Sequence, residues 1–89
     1  MQHKILYDII LRVKAIRFTR HAKNRIRWHR ISEAEVISAI DKPQYLESSI
    51  QGRINAWTET FGKFLRVTYK EEGDRILVIT AVKKKKRWG

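Results

Sequence analysis

The sequence predicts an α+β domain of two layers, with N-terminal helices packed on a three- to four-stranded antiparallel sheet. Three observations carry this. Apolar residues recur at helical spacing through the first half of the chain. A Ser-x-x-Glu capping box opens one of those segments. The second half alternates short β-rich runs with Gly-containing turns, the pattern of an antiparallel meander.

Residues 4–16 read KILYDIILRVKAI, with Ile5, Leu6, Ile9, Ile10, Val13 and Ile16 at helical intervals, and predict an amphipathic first helix. Thr19 is an N-cap for a second helix from His21 to about Arg30. Phe18, Ala22, Ile26 and His29 share one side of it, and Arg20, Lys23, Arg27 and Arg30 the opposite side. Ser32 and Glu35 form the capping box of a third helix, which turns Val36, Ile37, Ala39 and Ile40 inward and stops before Pro43.

Strands are predicted at Tyr45–Ile50, Ile54–Phe61, Phe64–Lys70 and Ile76–Val82. Gly62-Lys63 and Glu72-Gly73-Asp74 are the turns between them. The run 76–82 is almost wholly apolar, as a central strand is. The basic tail, about 83–89, is expected to leave the sheet.

At 89 residues the chain fits one domain, 1–89. Its formal charge is +11 and its apolar fraction 43%, which suits a small folded core rather than a disordered segment. No apolar run is long enough to span a membrane. The first ten residues lack the pattern of a secretory signal, so a cytoplasmic location is expected. The absence of cysteine excludes disulfide scaffolds, zinc–thiolate sites and thiol chemistry.

Charge is unevenly placed. Residues 1–31 hold nine Lys/Arg and one acid, residues 32–74 five and eight, and residues 75–89 six and none. Two basic ends brought together by the fold make one positive field, which attracts polyphosphates or an acidic protein.

The stretch Phe18-Thr19-Arg20-His21-Ala22-Lys23-Asn24-Arg25, continued to Arg30-Ile31-Ser32-Glu33, resembles a small prokaryotic family with the signature F-T-x-H-A-x-x-R-M-x-x-R-G-I-S-x-x-x-V. The later strands are similar too, and the resemblance covers about residues 16–84. The leading helix, about 3–14, lies outside that pattern. The chain departs from it at Ile26, where Met is usual, at His29, where Arg is common, and at Arg30, where a Gly normally makes the left-handed helix exit.

The family is grouped with RelE/ParE-like toxins. The resemblance therefore implies a metal-independent endoribonuclease acting on mRNA, free or ribosome-bound, with no cofactor and with a small acidic antitoxin protein as partner.

Such cleavage needs a base for the 2′-hydroxyl proton, cations for the phosphorane charge and an acid for the leaving 5′-oxygen. His21 and Arg25, four apart, share one helix side and put an imidazole beside a guanidinium. Arg66 interrupts an otherwise apolar strand and completes the expected catalytic set. Arg20, Lys23, Arg27, Arg30 and Lys83 are the expected phosphate contacts, with Trp88 stacking on a base.

His29 reads as a core or rim histidine, Tyr69 as core, and Glu59 as an exposed ion-pair former. His21, Arg25 and His29 make no metal site, because a guanidinium repels cations. Two other readings stand beside the toxin: a non-catalytic RNA- or DNA-binding module, and an interaction subunit whose leading helix packs on the sheet or forms a homodimer face.

Overall fold

A computed structural model of the chain describes residues 15–85. In order these form β1 (Ala15–Phe18), α1 (Arg20–His29), α2 (Glu33–Asp41), β2 (Tyr45–Ser48), a 3₁₀ turn (Ile50–Gly52), β3 (Ile54–Thr60), β4 (Lys63–Glu72) and β5 (Arg75–Lys84). The sheet order is β1-β5-β4-β3-β2. Strands β2 to β5 form the expected antiparallel meander, and β1 lies parallel to β5.

The sheet is thus five-stranded and mixed, which corrects the expected three- to four-stranded antiparallel sheet. The physical reason lies in β5. In a pure meander β5 is an edge, yet its apolar run 76–82 is that of a central strand, and it needs a neighbour on both sides. Ala15–Phe18 supplies that neighbour, pairing Ile16 with Ile76 and Phe18 with Val78. Ile16 and Phe18 pack on the core while Ala15 and Arg17 are exposed, the alternation of a strand. Residues 15 and 16 are therefore not helical, and the rest of the helix expected at 4–16 lies outside the described residues.

Thr19 joins the layers. Its N–H donates to the Val78 carbonyl at 3.0 Å and its hydroxyl to the Ile79 carbonyl at 3.0 Å. The same hydroxyl oxygen accepts from the Ala22 N–H at 3.0 Å and caps α1. A register shift between Thr68 and Tyr69 leaves Ile79 unpaired in β4, so a bulge sits where Thr19 is held.

The core lies between the helices and one sheet face. Ala22, Ile31, Val36 and Ala39 meet Ala56, Leu65, Val67, Tyr69, Ile76, Val78 and Ala81. Tyr69 is buried there as expected, and burial followed by the charge of Glu71 pushes its phenol up from the usual value.

The opposite sheet face carries a polar cluster. Trp57 is 5% exposed and donates Nε1–H to Glu47 Oε1 at 2.8 Å. Asn55 Nδ2 donates to the same oxygen at 3.2 Å, and Thr68 Oγ1 donates to Asn55 Oδ1 at 2.6 Å. The Arg66 guanidinium lies 5.8 Å from the Trp57 ring centre. The tail is also corrected in part: Lys83 and Lys84 stay in β5, paired with Leu65 and Phe64.

Candidate polyanion site

Four chain segments meet at one end of the domain: the end of α1, the start of α2, the β3–β4 hairpin and the end of β5. The α1 face explains the first. Ala22 is fully buried and Ile26 half-buried against the sheet, which turns His29, one turn further, toward the same layer.

Helix α1 ends at Arg30 in the left-handed region (φ 56°, ψ 47°), the role a glycine usually fills. The Arg30 N–H donates to the Arg27 carbonyl at 3.2 Å and the Ile31 N–H to the Ile26 carbonyl at 2.9 Å. That reversal buries Ile31 and places Ser32 to cap α2. Glu35 completes the box, its Oε1 accepting from the Ser32 N–H and hydroxyl, each at 3.3 Å.

The capping box delivers a carboxylate to β5. Glu35 Oε2 stands 3.3 Å from Lys83 Nζ. That oxygen is shut off from solvent and accepts no hydrogen bond, so charge rather than an aligned N–H holds the pair. Glu35 also borders a cleft of about 380 Å³ lined by Ala34, Ser38, Thr58, Glu59 and Leu65.

His29 is the titratable centre. Burial first, then the charges of Arg25, Lys83 and Lys63, hold its imidazole below the ordinary value of 6.5. Each of these disfavours a second positive charge, so His29 stays neutral near neutral pH and retains a ring nitrogen able to accept a proton. A neutral imidazole among three cations, one of which (Lys83) is paired with a carboxylate, suits an anionic ligand that carries a removable proton.

Of the expected catalytic residues, Arg25 belongs to this group. His21 is exposed in the first turn of α1, two helical turns from His29. Arg66 points to the other face of the sheet, since Leu65 and Val67 on either side of it are buried under the helices, and its Nε is enclosed beside Trp57. Arg20, Lys23, Arg27 and Arg30 are exposed along α1, and Lys23 and Arg27 border a second cleft of about 360 Å³ with Phe18, Ile26 and Glu33. Lys83 is in the group, and Trp88 lies outside the described residues.

The sequence alone sets His29 aside, offers Lys63 only as a turn residue near Arg66, and gives Glu35 no part in the site. The signal for His29 was present: it continues the His21–Arg25 row at the next four-residue step. Nothing local marks Lys63 and Glu35, whose place depends on strand register and on the helix turn.

Among the described residues no three His, Asp or Glu side chains gather as metal ligands, and no helix is long and apolar enough to cross a membrane. No curated protein and no solved structure matches the chain. One family model does, over residues 18–86, from the last residue of β1 to just beyond β5. The chain belongs to that family, the domain of unknown function DUF4258.

Proposed function

We propose that this chain is a metal-independent endoribonuclease of the RelE/ParE-like kind, the toxin of a toxin–antitoxin pair, working on mRNA in the cytoplasm. What carries the reading is the half-buried His29 imidazole, whose protonation is opposed by its burial and by the charges of Arg25, Lys83 and Lys63. In this reading His29 takes the role first expected of His21.

The imidazole accepts the 2′-hydroxyl proton, and the freed 2′-oxygen attacks the adjacent phosphorus. The P–O5′ bond breaks, leaving a 2′,3′-cyclic phosphate. The departing 5′-oxygen takes a proton from a lysine ammonium of the group. The Arg25 guanidinium grips two phosphate oxygens as charge builds on them. A small acidic protein partner would neutralise part of the +11 charge and block access.

The exposed row Arg20, Lys23, Arg27 and Arg30 favours a second reading, in which the domain binds RNA or DNA without cleaving it. Incubation of the pure protein with end-labelled RNA in EDTA separates the two. Toxin chemistry gives strand breaks that His29→Ala and Arg25→Ala abolish while both variants stay folded. Retained RNA with no breaks, or full cleavage by both variants, refutes it.

A further inference from the structure

Two large aromatic side chains stand in solvent within three residues, in sequence, of members of the cationic group. Trp28 is 78% exposed and Phe61 is fully exposed. Local folding explains neither. Trp28 lies off the buried face of α1, immediately before His29 and three residues after Arg25. Phe61 and Gly62 form the two-residue turn of the β3–β4 hairpin, with φ of 50° and 77°. Positive φ at both positions calls for Asn-Gly or Gly-Gly, and a bulky Phe in the first place works against the turn. Lys63, the next residue, is one of the cations acting on His29.

Building on the ribonuclease reading, we infer that Trp28 and Phe61 are base-stacking platforms on either side of the Arg25–Lys63–Lys83 group, and that the ligand is single-stranded RNA. Cations that track a phosphodiester, interleaved with exposed aromatic faces, are the chemistry of single-strand binding. Duplex RNA covers its base faces and gains nothing from such platforms. Exposed Arg25, Arg27 and Lys63 lie within three residues of one ring or the other in sequence, and the chain carries +11, so the surface favours a polyanion with aromatic bases over an apolar protein segment.

The test is fluorescence anisotropy with three short labelled probes, all 2′-O-methylated so that they resist cleavage: a single strand, its duplex, and an abasic strand. Trp28→Ala and Phe61→Ala are expected to weaken single-strand binding about tenfold or more each. Trp28→Phe should recover most of that loss, and the duplex and abasic affinities should stay unchanged. Single-strand affinity equal to wild type in both variants overturns the inference and leaves the rings to a protein contact. Equal losses on the abasic strand overturn it too.

Failure of the underlying reading looks different. In that case an unmethylated single strand is bound with the same dependence on Trp28 and Phe61 but stays uncut in EDTA.

Discussion

Replacing Trp57 by Phe tests the account of the open sheet face. The indole N–H donates to a carboxylate oxygen at 2.8 Å from a side chain that is 5% exposed. A hydrogen bond to a charged group contributes about 1.5–3 kcal/mol. The smaller ring adds a void costing about 1 kcal/mol. Phenylalanine still offers a face to Arg66, so little of the cation–π contact is lost. The expected destabilisation is therefore about 2.5–4 kcal/mol, or roughly 10–30 °C in melting temperature for a domain of this size. Urea unfolding measures it directly. A cycle with Glu47→Ala isolates the pair, with a coupling energy of about 1 kcal/mol or more. A loss below about 0.5 kcal/mol, or additive single losses, would mean that the indole N–H faces water and that Glu47 does not anchor it.

Arg30→Gly should stabilise the domain by about 0.5–1 kcal/mol, because the left-handed turn costs an L side chain about 1–2 kcal/mol and glycine returns part of that as chain entropy; thermal melts read the gain. His29 should titrate below 6.5 by NMR, and Lys83→Met should raise its midpoint by removing a neighbouring cation. Since the unfolded chain takes up that proton first as pH falls, the His29 contribution to stability is full above about pH 6.5 and is lost below it; His29→Gln should flatten this part of the curve. Arg25→Ala and Lys63→Ala should each reduce the slope of log affinity for single-stranded RNA against log salt by about 0.7, whereas Arg75→Ala, at the far end of β5, should leave it unchanged.

The elements legible in the sequence were those whose signals are local. Thr19, the Ser32–Glu35 box, Pro43 and the glycines at 62 and 73 each act within a few residues, and α1, α2 and the β2–β5 meander follow from them. Strand β1 was hidden because 4–16 has helical spacing, and Ala15 and Ile16 completed that pattern. Their strand state comes from a parallel pairing with Arg75 and Ile76, whose cost and gain are both non-local. Lys83 and Lys84 read as a fraying tail for the same reason. Their charge predicts solvent, while pairing with Leu65 and Phe64 keeps them in the ladder.

The site divides along the same line. His21 and Arg25 were visible as a helical pair, but a phosphate group needs cations from more than one element, and only register decides which elements meet. Lys83 comes to His29 because β5 runs on past Ala81, and Lys63 because it opens β4 at the same sheet end. Arg66 was the natural strand candidate by charge alone. Alternation sends it through the sheet, to the face where Trp57, Glu47 and Asn55 already hold one another. A guanidinium committed to an indole there has its Nε enclosed and lies on the sheet face opposite the helices, one of which carries Arg25. The charge that matters to a polyanion at the helix face is therefore the part whose strand register ends beside His29, and the remainder of the +11 acts as a longer-range field that salt screens.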